Sequence, residues 1–279
     1  MYTLFNFIIF FVVIIAMLAL DMGVFHRKDD KISFKNALIW TFIWIGVALL
    51  FGALIWLEQG SRKALEYYSG YLIEKALSID NIFVMVLIFT TFNIDEKYYR
   101  RILYYGILGA VVFRFIFIFV AAALIERFEW ILILFGAILI YSAVNMFLKR
   151  NKEATLNLEN NKLIRFFNRR GLITHEVKNH DFFTRINGKL LVTPLFLVLI
   201  MIEFADVVFA VDSIPAVFGV TRDPYIVFFS NIFAILGMRS LFFIVSYIMN
   251  RFKWLRYLLI LLLLFIGIKM IVPFILELF

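Results

Sequence analysis

Thr193–Val220 reads TPLFLVLIMIEFADVVFAVDSIPAVFGV. About 20 mostly apolar residues suffice to cross a bilayer as a helix, and this stretch exceeds that length. Its interior nevertheless carries Glu203, Asp206 and Asp212, with Pro215 near its end. A charge at the centre of a bilayer costs roughly 2.5–3.5 kcal/mol on insertion scales. Such residues face a bundle interior or an aqueous cavity, where they mark ion paths, proton relays or fixed pairs. The stretch therefore predicts a membrane helix packed within a larger bundle. Pro215 removes a backbone donor and crowds the Val211 carbonyl, which predicts a break between Val211 and Pro215 that turns Asp212 and Ser213 inward.

The rest of the chain agrees with this reading. Of its 279 residues, 64% are hydrophobic, against roughly 45–50% in a soluble domain. Eight segments qualify as spans: 3–21, 36–57, 69–93, 101–124, 130–148, 192–219, 225–249 and 255–276. The fold class is an all-α polytopic bundle. Loops 1, 3, 5 and 7 hold 20 Lys and Arg and the opposite side holds 4, so the odd loops are cytoplasmic and both termini lie outside. Without the long fifth loop the split is still 10 to 4. The net charge of +8 is thus explained by membrane topology, and nucleic acid is not an expected partner. A short amphipathic helix is expected near 160–170, and its basic segment 162–170 suits anionic headgroups. Cysteine is absent, which excludes disulfides and thiol chemistry from this chain.

An internal repeat divides the chain. Arg127-Phe128-Glu129-Trp130 recurs as Arg251-Phe252-Lys253-Trp254, and Asn145-Met146 matches Lys269-Met270, both at an offset of 124. Arg114 matches Arg239 at 125, Asp80-Asn81-Ile82-Phe83 matches Asp206-Val207-Val208-Phe209 at 126, and Leu108-Gly109 matches Leu236-Gly237 at 128. The expected organisation is two N-terminal helices (1–68), a first three-helix repeat (69–148), a cytoplasmic polar loop (149–191) and a second three-helix repeat (192–279). Three helices per repeat invert the second relative to the first, a frequent design of secondary transporters with a site near the midplane. A duplication kept only for packing is the plainer alternative.

Nine charged residues fall within the spans away from their ends: Glu74, Lys75, Asp80, Arg114, Glu203, Asp206, Asp212, Arg239 and Lys269. On the third span Glu74, Ser78 and Asn81 share a face at i, i+4 and i+7. The offered ligands are oxygens: the carboxylates of Glu74, Asp80, Glu203, Asp206 and Asp212, the Asn81 amide, and the Ser78 and Ser213 hydroxyls. The histidines lie only in loops. Such a hard donor set suits Mn²⁺, Ca²⁺ or Mg²⁺ and argues against a site built for Zn²⁺ or Cu⁺. Arg114, Arg239, Lys75 and Lys269 are candidates for gating or charge pairing. Simple neutralisation of these four bases by the acids is the competing account. No phosphate loop, nucleophile–base pair or HExxH motif is present, so neither an enzyme nor an organic cofactor is expected.

At Glu74–Phe83, EKALSIDNIF, at Thr193–Val220, and at Ser230–Arg239, SNIFAILGMR, the chain resembles the TerC family of membrane proteins, which is named for tellurite resistance and includes Alx-type manganese exporters. The resemblance covers nearly the whole chain, with Phe229 and Met238 as departures from the pattern. It implies a membrane protein, expected in the inner membrane, that exports Mn²⁺; exchange for protons is a further expectation. Glu74, Asp80, Asn81, Glu203, Asp206, Asp212 and Ser213 are the acidic-motif residues that carry over. The resemblance also leaves a second function open, that of an accessory or scaffold protein for metal supply or tellurite resistance without transport of its own.

Overall fold

The structure is a computed structural model that describes residues 8–17, 34–92, 94–128, 130–148, 181–186, 189–248, 261, 264–266, 268–269 and 271–272. The chain forms two compact units, Met1–Ile32 and Ser33–Phe279. The first contains α1 (Ile8–Met17), a short apolar helix. The second begins with α2 (Phe34–Gln59), α3 (Ser61–Thr91), α4 (Glu96–Arg127) and α5 (Ile131–Leu148). A hairpin of β1 (Phe183–Ile186) and β2 (Lys189–Val192) follows, then α6 (Pro194–Phe218), α7 (Pro224–Leu236) and α8 (Met238–Ile248). The described residues between 261 and 272 are helical.

Helices lie over the second to seventh predicted spans, with α3 beginning eight residues before the third and α4 five before the fourth. By length and composition α2, α4 and α6 can each cross a membrane, and α7 with α8, bent by 42° at Gly237, would make a fourth crossing. Exposed apolar side chains stud the outer faces, such as Leu50 at 72% and Leu57 at 87%; these suit lipid. The amphipathic helix expected near 160–170 lies outside the described residues. The hairpin was not expected. It pairs Phe183 with Val192 and Ile186 with Lys189 in antiparallel register. Its sequence signal is Asn187-Gly188, the dipeptide favoured in two-residue hairpin turns.

Helix ends obey local chemistry. Gly60 joins α2 to α3 at φ +87°, a left-handed conformation that glycine adopts without strain. Both Pro194 and Pro224 occupy the first helical turn, where a missing N–H costs nothing. Asp223 caps α7 by accepting from the Tyr225 amide at 3.1 Å.

The expected break in the sixth span is absent. α6 continues through Pro215 to Phe218. Residues 213–218 are all buried, so packing holds the last turn in place despite the lost hydrogen bond. The interruption falls instead at Gly237, between α7 and α8.

Contacts give the helix directions. Lys63 meets Asp223, Glu74 meets Asn231 and Lys75 meets Ala234, so α3 and α7 run parallel. Gly106 faces Leu199 and Ile202, Gly109 faces Glu203, and Arg114 meets Asp206, so α4 and α6 also run parallel. Phe119 meets Tyr225 while Arg114 meets Asn231, which makes α4 and α7 antiparallel. Glu66 meets Thr221 while Gly70 approaches Val217, which makes α3 and α6 antiparallel.

Candidate functional site

The centre of the second unit is organised by Arg114, which lies midway along α4 and is fully buried. Its Nε and Nη2 donate to Asp206 Oδ2 and Oδ1 at 3.2 and 3.0 Å, the two-pronged geometry that suits guanidinium and carboxylate. Its Nη1 donates to Glu74 Oε1, to Asn231 Oδ1 at 2.6 Å and to Ser213 Oγ at 3.4 Å. Asn231 also donates from Nδ2 to Glu74 Oε2 at 3.0 Å. Four helices therefore meet through one cation: α3 gives Glu74, α6 gives Asp206 and Ser213, and α7 gives Asn231. At formal charges this hub sums to −1.

Each side chain arrives by helical periodicity. Glu74, Ser78 and Asn81 occupy the predicted common face of α3, and all three are buried. On α6, Asp206 and Ser213 stand seven residues apart on one buried stripe. The Ser78 hydroxyl is turned to its own helix, donating to the Glu74 carbonyl at 2.7 Å. Asn81 Nδ2 is buried and unpartnered, as is Glu203 Oε2. A buried amide or carboxylate without a partner is costly. A cavity of about 10 Å³, the size of a single water, lies beside the hub and is lined by Gly106, Ala110, Asp206 and Arg239 among others.

Not every expected ligand joins the hub. Asp212 is half-buried and stands about 120° around α6 from Asp206 at 100° per residue; the uninterrupted helix leaves it there, with Ser213 alone facing the hub. The Asp80 side chain lies outside the described residues. Among the described residues, no three acidic or histidine side chains converge as a ready metal cage. The bases divide their tasks. Arg114 pairs acids. Arg239 opens α8 and lines the cavity. Lys75 Nζ donates to the Ala234 carbonyl at 3.2 Å, near the end of α7. Lys269 is exposed.

Sequence reading missed Asn231, which lies within SNIFAILGMR. An amide in the middle of an apolar span was the available signal. It also missed a second polar cluster, where α3 begins and α6 turns into α7. There Lys63 Nζ contacts Asp223 at 2.7 Å and Glu66 at 3.2 Å, and Thr221 Oγ1 donates to Glu66 at 2.7 Å. Partial burial pulls the Lys63 ammonium down, but the two carboxylates outweigh it and hold its pKa above the usual 10.5.

The fold and this hub define a class: an α-helical integral membrane protein with a charged core. Residues 59–277 match the model of the integral membrane protein TerC family, and the chain belongs to that family. It is 48% identical over 261 residues to an uncharacterised membrane protein of Myxococcus xanthus, covering 94% of this chain and 81% of the relative. An uncharacterised membrane protein of Rickettsia bellii is 44% identical over 267 residues, covering 96% and 88%. A Salmonella typhi relative, 43% identical over 272 residues and covering 94% and 84%, carries the provisional name membrane-bound redox modulator Alx. No solved structure matches the chain.

Proposed function

We propose that this protein exports a divalent metal ion, Mn²⁺ in the first place, across the inner membrane through the acidic core, in exchange for protons. The observation that carries this is the arrangement around Arg114. Oxygens of Glu74, Asp206, Ser213 and Asn231, from three helices, surround one buried cationic position. The guanidinium holds that position in this state. A divalent ion arriving from the adjacent cavity would take the same hard donors once Arg114 withdraws, and would bring the formal charge of the two carboxylates to zero. Ca²⁺ fits the same donor chemistry. Glu203, whose Oε2 is unpartnered, supplies a further oxygen along the way, and Asn81 can offer its amide oxygen.

The helix directions support the expected inverted repeat. A pseudo-two-fold that exchanges α3 with α6 and α4 with α7 converts the α3–α7 pair into the α6–α4 pair, and both are parallel. The same operation relates α3 to α6 and α4 to α7, and both of those pairs are antiparallel. On this reading the chain has eight spans, with both termini outside. It is a carrier rather than an enzyme. An effect on cellular redox state would then follow from metal movement, since a chain without cysteine has no thiol exchange to offer.

The test is Mn²⁺ flux into or out of proteoliposomes holding the purified protein, with and without a pH gradient. Flux above that of empty vesicles and accelerated by an opposing proton gradient is expected. No flux under any gradient would return the protein to the accessory role.

A further inference from the structure

Two glycines related by the repeat are filled from outside by opposite charges. A Cβ on Gly109 in α4 would overlap the Glu203 carboxylate of α6. A Cβ on Gly237, at the α7–α8 bend, would sit 2.7 Å from Lys75 Nζ of α3. Glu203 stands 128 residues after Lys75, two beyond the position that the offset of 126 between α3 and α6 gives. Each notch thus receives a charged side chain from the first helix of the other repeat. Gly237 has φ −76°, which any residue adopts, so it is space and not backbone conformation that requires glycine there.

The two notches are in different states. At Gly237 the helix is broken, and the Lys75 ammonium donates to Ala234 O. The last carbonyls of a helix lack intrahelical donors, and a cation there is also favoured by the helix dipole. At Gly109 the helix is continuous from Glu96 to Arg127, its amides are engaged within α4, and Glu203 Oε2 has no partner. A break at Gly109 would free N–H groups at the start of the next helical segment, the end that favours a carboxylate. Each charge therefore has the sign for one end of a helix broken at its own glycine, and only one of the two is satisfied here.

We propose that Lys75 and Glu203 are positioning residues that hold alternative helix breaks, Lys75 at Gly237 and Glu203 at Gly109, and that moving the break from one repeat to the other carries the protein between its two access states. The proposal rests on the reading of the chain as an inverted-repeat carrier. Lys75 then acts as a latch for the present state rather than as a counter-ion of the acidic core.

The chain has no cysteine, so a single Ala110→Cys substitution reports on the cavity that Ala110 lines. Its modification by a membrane-impermeant thiol reagent is measured from each face of sealed vesicles. Glu203→Gln should favour the break at Gly237 and Lys75→Met the break at Gly109, so the ratio of labelling from the two faces should move in opposite directions, by roughly tenfold each, for latches that shift the equilibrium by one decade. Gly109→Ala should act like Glu203→Gln, and Gly237→Ala like Lys75→Met, since each displaces the charge and favours a continuous helix. These glycine variants decide the matter if a charge variant does not fold. Shifts in the same direction, or an unchanged ratio, would overturn the proposal. The readout needs no metal. Opposed shifts without Mn²⁺ flux would sink the export reading alone, and flux without opposed shifts would sink the alternating break alone.

Discussion

Asp206→Asn is the sharpest perturbation of the hub, because it removes one charge and almost no volume. Unit charges about 4 Å apart at an effective dielectric near 20 interact by about 4 kcal/mol, so a divalent ion and one carboxylate attract by about 8 kcal/mol. If desolvation offsets half of this, losing the charge costs about 4 kcal/mol, roughly a thousandfold in Kd. Stability should respond far less. Breaking a buried pair commonly costs about 3–5 kcal/mol because a charge is stranded, but Arg114 keeps Glu74, Asn231 and Ser213 as acceptors. The loss should be nearer 1–3 kcal/mol, the cost of hydrogen bonds to a charged group. Calorimetric Mn²⁺ titration of purified protein, with a thermal melt of the same sample, reads both quantities. Binding within about threefold of the unsubstituted protein, in folded Asp206→Asn, would refute a metal position between these acids. A collapse of folding with no measurable binding phenotype in the survivors would make Asp206 a structural partner of Arg114 and nothing more.

Further expectations concern the surroundings of the hub. Asn231→Leu deletes two hydrogen bonds to charged groups and should lower unfolding stability by about 3–5 kcal/mol, seen as a reduced denaturation midpoint. Gly70→Ala places a Cβ 2.8 Å from Ser230 Oγ and 3.0 Å from Val217 Cγ1; overpacking of this kind should cost about 1–3 kcal/mol, and an unchanged melt would contradict the close approach. Lys63 has a raised pKa, so its ion pairs contribute fully below pH about 10.4, and the contribution fades only as pH climbs through the higher folded value. Lys63→Met should therefore be less stable than the natural chain at pH 8, with the gap closing at strongly alkaline pH. Reagents that reach only the outer face should label tags on both termini; protection of the C-terminus would overturn the assigned orientation.

What could be read from the sequence was whatever depends on periodicity and the price of charge in lipid. Span boundaries at 36–57, 130–148 and 192–219 lie within a few residues of α2, α5 and α6, because apolar length alone sets them. The face of Glu74, Ser78 and Asn81 follows from 3.6 residues per turn. Tertiary packing decided the rest. Pro215 was a sound reason to expect a break, yet its turn is buried on every side and stays helical. Gly237 gave no comparable warning, since its role depends on Lys75 and Trp44 approaching from α3 and α2. Asn231 was hidden for a similar reason: a lone amide in a span acquires meaning only when Arg114 and Glu74 are placed beside it.

On the proposed export of a cation, the buried arginine of the hub acquires a role. Without a cation, Glu74 and Asp206 would stand together in a low-dielectric interior, a repulsion of several kcal/mol at close range. A site of fixed high affinity would solve this by never releasing its metal. A tethered guanidinium offers another solution, since it neutralises the acids when metal is absent yet remains attached to α4 when metal enters. The net −1 left with Arg114 in place still attracts a divalent ion, and the two-pronged grip on Asp206 makes exchange cost hydrogen bonds that the returning side chain recovers. Under that proposal, metal release would be assisted by a competitor that cannot diffuse away. On that account Arg114→Gln should hold Mn²⁺ more tightly than the natural chain while moving it more slowly. An arginine that only braces the fold would instead leave a variant that fails to fold or binds no better.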